Sequence, residues 1–231
     1  MKTVINPTYS VLSSFISNIP TTFDQEGELV FTARNQLKSY TVEGVDVIVK
    51  RYKRPHLINR IVYTFFRPSK AKRAYEYALR LLELDINTPM PIAYIEQNSF
   101  GLLSYSFFIS IYEKDYSDIR ELMIGTQTDD TLLQHLAQYI AHFHSKGILH
   151  FDMSPGNILY KKENDNYLFT LIDINRMHFS HSISKTDRYK SFKRLSENKS
   201  VLTRIATLYA AAAQLNESES VERINYYCTE F

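Results

Sequence analysis

The sequence predicts an α+β fold in which a small antiparallel sheet precedes a mainly helical half. Short apolar runs separated by turn residues fill the first half, and longer runs with helical periodicity follow. Hydrophobic residues make up 44% of the 231 positions, which is enough for a full globular core. The break is predicted near 113–117, so 1–113 is expected to form an N-terminal lobe and 114–231 a C-terminal lobe.

Five short segments of the first half have the composition of strands. They read LVFTA from Leu29, LKSYTV from Leu37, VDVIVKRY from Val45, PIAYIEQ from Pro91 and LLSYSFFISIY from Leu102. Turns are expected at 34–36, at 43–44 and across 98–101. Alternation along 45–52 places Lys50 on the face opposite Val45, Val47 and Val49, where it could look into a cleft.

Three helices are predicted from apolar residues at helical spacing. The first covers 69–84, with Ser69 as N-cap and Glu76 one position off its apolar stripe. The second covers 131–146 and ends at Gly147. A final alanine-rich helix begins at about Ser200.

Composition excludes several classes of protein. The 27 basic and 25 acidic residues nearly cancel, so overall charge gives no reason to expect a nucleic-acid partner. A single cysteine, Cys228, cannot form an internal disulfide, and the first residues lack the apolar core of a secretory signal. No apolar run approaches the ~20 residues that span a bilayer. A cytoplasmic location is expected, and any membrane contact is expected to be peripheral.

The segment 54–67 carries an apolar stripe at helical spacing, flanked by basic residues. The stripe consists of Leu57, Ile58, Ile61, Val62, Phe65 and Phe66. The flanking cations are Arg60, Arg67, Lys70, Lys72 and Arg73. Two interpretations stay open: the stripe lies on an anionic membrane surface, or it packs against the sheet.

The stretch HFDMSPGNILY, from His150 to Tyr160, contains candidate catalytic and metal-binding residues. Pro155 and Gly156 interrupt any helix or strand, so Asp152 and Asn157 stand on one loop. Asp173 follows the apolar run 168–172 and is expected at the end of a buried strand. An acid to accept a hydroxyl proton, with an amide and a second acid to bind Mg²⁺, is the set that phosphoryl transfer requires.

A kinase also needs a cation for the nucleotide phosphates. Lys50 is predicted to clamp the α- and β-phosphates, and Glu76 on the following helix to hold that lysine extended. Lys50 could instead be one more exposed residue of a basic cluster that includes Arg51, Lys53 and Arg54. The role given to Glu76 could likewise fall to Glu43, Glu83 or Glu96.

In order and spacing, Lys50, Glu76, HFDMSPGN and Asp173 in DIN resemble the protein-kinase-like superfamily. The phrases SKAKRAYEYALRLLELDINTPMPIAY, SKGILHFDMSPGNILY and FTLIDINRM are similar to bacterial lipopolysaccharide kinases of the Kdo kinase and WaaP type. The resemblance implies a bilobal kinase-like fold, ATP and Mg²⁺ as cofactors, and a core-sugar hydroxyl, on Kdo or heptose, as acceptor. It also implies work at the cytoplasmic face of the inner membrane.

Departures from the protein-kinase pattern bear on the acceptor. Phe151 replaces the arginine that reads activation-loop phosphorylation, Ser154 stands where Ser/Thr protein kinases carry a lysine, and Asn175 replaces the glycine of DFG. These changes favour a glycan or small-molecule hydroxyl over a peptide. Alternatives that stay open are a kinase of proteins or soluble small molecules, and a pseudokinase that binds nucleotide without transfer.

The remaining expected nucleotide contacts lie in the first half. Residues 33–36 replace the usual glycine-rich turn, and Arg34 could compensate there with direct charge. Ser110 and Tyr112, at the end of the strand 102–112, complete the expected nucleotide site.

Four histidines could suggest a metal site, but their spacing on the predicted helix does not favour one. His135, His142 and His144 are expected to be solvated or capping residues. His150 resembles the structural histidine of the kinase catalytic loop, which hydrogen-bonds the backbone.

Overall fold

The computed structural model describes residues 1–164 and 166–229, without the side chain of Thr229. The chain forms two compact units. The first comprises 1–83 and 89–114, and the second comprises 84–88 and 115–231. None of the helices within the described ranges has the length and apolar character needed to cross a bilayer.

The first unit is a six-stranded antiparallel sheet with three helices. Its elements are β1 Lys2–Ile5, α1 Ser13–Thr22, β2 Glu28–Thr32, β3 Gln36–Val42, β4 Val45–Tyr52, α2 Leu57–Phe65, α3 Lys70–Glu83, β5 Pro91–Ser99 and β6 Leu102–Ile111. The strand order is β1-β5-β6-β4-β3-β2. All five predicted strands are present, and β4 has the predicted bounds. Its turn with β3 has positive φ at Glu43 and Gly44, as a type I′ hairpin requires.

The two faces of this sheet bury different helices, because side chains alternate along each strand. Val47 and Val49 of β4 pack in one core with Ile16 and Ile19 of α1. On the other face Tyr52 packs with residues of α3. The Ser69 hydroxyl accepts from the Lys72 N–H at 3.1 Å, so the predicted N-cap of α3 is confirmed.

Helix α2 forms within the segment 54–67, but five of the six residues of its apolar stripe are exposed, and only Val62 is partly buried. Instead Arg60 is buried, and its Nε donates to the Leu103 carbonyl at 2.7 Å. Thr64 accepts from the Leu103 N–H at 2.9 Å. The interpretation that the apolar stripe packs inward is therefore wrong, as is the placement of Arg60 among the flanking surface cations.

The second unit is mainly helical. Its elements are β7 Ser117–Asp118, α4 Arg120–Ile124, α5 Asp130–Ser145, β8 Ile148–His150, β9 Ile158–Glu163, β10 Asn166–Leu171, β11 Met177–Phe179, α6 Lys185–Ser191, α7 Lys199–Ala213 and α8 Glu217–Thr229. Short 3₁₀ turns cover Pro155–Asn157, Ile174–Arg176 and Phe192–Arg194. Strands β10, β9 and β7 form one small sheet, and β11 pairs with β8 in another.

The predicted helices of this unit are confirmed to within about a residue, whereas α8 was not predicted. Gly147 has φ +77° after α5, and a Cβ there would lie 1.8 Å from the Ser180 carbonyl oxygen. Only glycine meets both demands without strain. Cys228 of α8 is half-buried, and burial raises the pKa of its thiol to about 11.

His144 corrects one expectation, because it is a core residue rather than a solvated or capping one. Its side chain is fully buried on α5. Tyr209 of α7 donates to its Nδ1 at 2.8 Å, and its Nε2 lies 3.3 Å from the Ser191 hydroxyl, which itself donates to the Arg188 carbonyl. The neutral imidazole thus has both nitrogens satisfied, and burial lowers its pKa from 6.5 to about 3.

This shift predicts acid sensitivity. A folded pKa below the unfolded value means that the unfolded chain binds the extra proton, so the contribution is complete above pH 6.5 and lost as pH falls towards 3. Urea unfolding across pH 6.5 to 3 should show that His144→Gln removes up to about 1.4 kcal/mol per pH unit from the slope of stability with pH. His142→Gln, at an exposed position of the same helix, is the control. Equal slopes for wild type and His144→Gln would contradict the assignment.

Candidate active site

A buried histidine joins the two segments that carry the predicted catalytic and metal-binding residues. His150, the last residue of β8, is 0% exposed. Its Nδ1 accepts from the Asp152 N–H at 3.1 Å, so its Nε2 carries the proton and donates to the Ile172 carbonyl at 3.1 Å. Burial lowers the pKa of His150, which favours this neutral form. The imidazole therefore fixes the loop after β8 against the segment after β10.

The loop itself is closed by bonds around the backbone of Asp152. The Asp152 carbonyl accepts from the Ser154 N–H and from Asn157 Nδ2, both at 2.8 Å. The Asn157 N–H donates to the Ser154 carbonyl at 2.9 Å, within the 3₁₀ turn that Pro155 begins. Because Nδ2 of Asn157 is committed to this bond, Oδ1 is the amide atom that can ligate a cation.

Asp173 lies two residues after β10, next to the same loop. The Ile172 N–H donates to the Asn157 carbonyl at 3.0 Å, and Asn175 Nδ2 donates to Asp173 Oδ1 at 2.5 Å. Asp173 has φ +52° and ψ +40°, the left-handed region in which aspartate is tolerated better than most residues. The structure thus brings Asp152, Asn157 and Asp173 into one hydrogen-bonded network within the second unit.

Two arginines that sequence analysis missed face the Asp152 carboxylate. Nη1 of Arg194 donates to Oδ1, and Nη1 of Arg176 lies 3.6 Å from Oδ2. The Asp152 side chain is 17% exposed, whereas both arginine side chains are about half exposed. Arg176 directly follows the DIN motif. Arg194 lies 42 positions beyond Asp152, and the only signal for it is the basic run between Arg188 and Arg194.

A third arginine lies against the loop at Gly156. A Cβ at that position would meet Nη2 of Arg120 at 2.1 Å, so the guanidinium occupies the space of a side chain. Arg120 is held there at the start of α4 by an ion pair with Asp118. The glycine of the SPGN motif therefore permits a close approach by a cation, in addition to interrupting regular structure.

The predicted lysine clamp lies in the first unit. Lys50 pairs with Phe108 across the sheet, and Phe108 pairs with Tyr94, so all three share one face. Tyr94 contacts Tyr75 of α3 at a ring distance of 5.4 Å, which places that helix over the same face. Oε1 of Glu76, in α3, lies 3.6 Å from Nζ of Lys72. Pairing of Glu76 with Lys50 stays a prediction.

The other expected nucleotide contacts fall at different places in the first unit. Arg34 lines a cavity of about 240 Å³ that is also lined by Lys53, Arg54, His56 and Lys70. Tyr112 lines a separate cavity of about 600 Å³ beside β2 and β3. Ser110 is buried in β6, opposite Ile48 of β4. Arg34 and Tyr112 therefore line different cavities, and a shared contact of these residues with one nucleotide stays a prediction.

The donor set suits magnesium rather than zinc. In the described part of the chain, no three His, Cys, Asp or Glu side chains are grouped so as to hold a metal ion. One amide oxygen and one carboxylate fit a hard cation that takes its other ligands from phosphates and water. This is the set that Asn157 and Asp173 offer.

Comparison with known proteins places these features in a family. Residues 25–218 match the lipopolysaccharide kinase (Kdo/WaaP) family. A 3-deoxy-D-manno-octulosonic acid kinase from Mannheimia succiniciproducens is 26% identical over 146 residues, which cover 61% of this chain and 60% of that relative's length. A structure of WaaP in complex with acyl carrier protein superposes with a TM-score of 0.66 at 15% identity, covering 99% of this chain and 98% of the other.

The solved relative confirms the kinase-like α+β fold, and the family match covers both the β4 lysine and the HFDMSPGN loop. The resemblance read from the motifs is thereby confirmed. The chain belongs to the lipopolysaccharide kinase (Kdo/WaaP) family.

Proposed function

We propose that the protein is an ATP-dependent kinase that phosphorylates a sugar hydroxyl of the lipopolysaccharide inner core, with Kdo as the acceptor sugar, at the cytoplasmic face of the inner membrane. The observation that carries the proposal is the network of Asp152, Asn157 and Asp173, held by buried His150 and faced by two arginines. It supplies a base, two hard cation ligands and a receptor for a negatively charged acceptor.

In the proposed reaction Asp152 accepts the proton of the acceptor hydroxyl as its oxygen attacks the γ-phosphorus of ATP. The bond from that phosphorus to the bridging oxygen breaks, and ADP leaves with the electron pair. Phosphoryl transfer depends on positioning, and the N–H bond from Asp152 to His150 fixes the backbone that carries the base.

Cofactor binding is assigned residue by residue. Asn157 Oδ1 and the Asp173 carboxylate would hold magnesium, which neutralises charge on the phosphate oxygens when bound. Lys50 would bind the α- and β-phosphates, with Glu76 orienting it and Arg34 adding charge. Ser110 and Tyr112 would contact the nucleotide. These roles follow the family pattern, and the donor types at each position fit them.

The choice of Kdo over heptose follows from charge. Kdo is a sugar acid, as the name of the curated relative states, whereas a heptose has no carboxylate of its own. Each guanidinium has five N–H donors, so Arg176 and Arg194 keep donors beyond those that face Asp152. The planar guanidinium of arginine binds a carboxylate through two parallel hydrogen bonds. A sugar acid bound there would place its hydroxyl near the base.

The role of the base predicts a large kinetic effect at Asp152. Asp152→Asn should lower turnover by roughly 10²- to 10⁴-fold, the usual contribution of acid and base groups, in a steady-state assay of ADP release. Asp130→Asn, which also breaks an aspartate–arginine ion pair in the second unit, should stay near wild type. Near-normal turnover of a folded Asp152→Asn protein would refute the role.

If Arg176 and Arg194 bind the acceptor carboxylate, removing one of them should lower kcat/KM more for an acidic acceptor than for a neutral one. Arg194→Met should lower kcat/KM for a Kdo-bearing acceptor about 10- to 100-fold, since a hydrogen bond to a charged group contributes about 1.5–3 kcal/mol. The loss should be several-fold smaller for the carboxamide form of the same sugar, and KM for ATP should not change.

Arg204→Met, which removes an exposed arginine from α7, is the matched control for this variant. An equal loss on the acid and the carboxamide would remove the receptor role. A wild-type preference for a heptose-bearing acceptor would overturn the assignment of Kdo.

A further inference from the structure

Helix α2 is packed with its polar side inward. Arg60 and Thr64 lie one turn apart on the same side, and both bond to backbone atoms of Leu103 in β6. Nη2 of Arg60 also donates to the Ser99 carbonyl at 2.8 Å, at the end of β5. The Thr64 hydroxyl donates to the Arg60 carbonyl at 2.7 Å. These bonds fix the rotation of the helix about its own axis.

The apolar face of α2 consequently points away from the unit that carries it. We use this name for Leu57, Ile58, Ile61, Phe65 and the adjoining Phe66. The first four fall within an arc of about 100° at 3.6 residues per turn. Ile58 is 77% exposed and Phe66 is 80% exposed. Scattered exposed apolar residues are ordinary on protein surfaces, but a contiguous set on one helix marks an interaction site.

All the charged residues in the sequence around α2 are basic. No aspartate or glutamate occurs between Asp46 and Glu76. The same stretch contains nine basic residues, of which Arg60 and Arg73 are buried: Lys50, Arg51, Lys53, Arg54, Arg60, Arg67, Lys70, Lys72 and Arg73. Lys53 and Arg54 precede α2, Arg67 follows it, and all three are exposed. An apolar helix face with exposed cations at both ends is complementary to an anionic lipid surface.

We infer that the apolar face of α2 is a membrane-docking surface for an anionic bilayer. A bilayer receives a convex apolar helix face without a shaped pocket. None of the five residues lines either of the two cavities described above, and the α2 residues that do line one, Asn59 and Tyr63, lie on the opposite side of the helix. Docking goes beyond the proposed reaction, since it needs neither nucleotide nor acceptor.

The decisive measurement is co-sedimentation of the full chain with lipid vesicles. Wild type should bind vesicles of phosphatidylethanolamine and phosphatidylglycerol, and should bind phosphatidylcholine vesicles at least tenfold more weakly. Phe65→Ser with Phe66→Ser should reduce binding to the anionic vesicles at least tenfold. Arg67→Gln should reduce the preference for anionic vesicles, whereas Arg204→Gln in α7 should not.

Matched controls keep the test independent of folding and of the kinase reaction. Val11→Ser with Ile124→Ser removes exposed apolar side chains elsewhere and should leave vesicle binding unchanged. The Phe65, Phe66 variant should melt at the wild-type temperature and turn over a water-soluble acceptor sugar at the wild-type rate. If the wild-type protein binds vesicles but does not phosphorylate the acceptor sugar, the proposed reaction is rejected and the docking inference stands.

Two results would overturn the inference. One is a folded Phe65, Phe66 variant that sediments with anionic vesicles as well as wild type does. The other is wild-type protein that ignores vesicles but binds an acidic protein through the same residues, because the face would then be a protein interface.

Discussion

The imidazole of His150 is the constraint on which the rest of the candidate active site depends. One nitrogen accepts from the backbone N–H of Asp152, the proposed base, and the other donates to the carbonyl just before Asp173. These segments are 22 positions apart in the chain, and each begins where a strand ends. The imidazole itself is fully buried, so a ring nitrogen left without its partner would cost about 1–3 kcal/mol. The histidine thus holds the two segments together through its neutral ring.

Around this neutral centre the structure arranges positive charge. Three guanidiniums approach the loop from different elements: Arg176 beside the candidate metal-binding segment, Arg194 before α7, and Arg120 against Gly156. In the protein-kinase pattern an arginine at this position reads a phosphorylated loop, and this chain has Phe151 in its place. The cations instead suit a substrate that brings its own negative charge.

Local signals explain why much of the fold could be predicted from sequence. Strand β4 and helices α3 and α5 are defined by short-range periodicity and by caps such as Ser69 and Gly147. Helix α1 could not be found in the same way, because Pro20 and five serine or threonine residues give it weak intrinsic preference. It forms because Ile16 and Ile19 are buried against the sheet, a contact that only the tertiary structure reveals.

The orientation of α2 could not be predicted from the sequence, for a related reason. A hydrophobic pattern shows that a helix has two faces, but it does not show which face packs inward. The carbonyls of the β5–β6 turn decide this by accepting from Arg60.

Likewise, the HFDMSPGN motif is local and could be recognised, whereas Arg194 reaches Asp152 only through folding. His144 shows the reverse error: a polar residue off the apolar stripe can still be buried when a tyrosine and a serine satisfy it.

The half-buried thiol in the last helix has a practical consequence. With its pKa raised to about 11, Cys228 stays protonated at neutral pH, and the thiolate is the form that reacts with maleimides and iodoacetamides. A cysteine introduced at an exposed position would therefore be modified far faster than the natural one. Two such positions, one in each compact unit, would accept a fluorophore pair in an otherwise unaltered chain, so movements during turnover could be followed in solution.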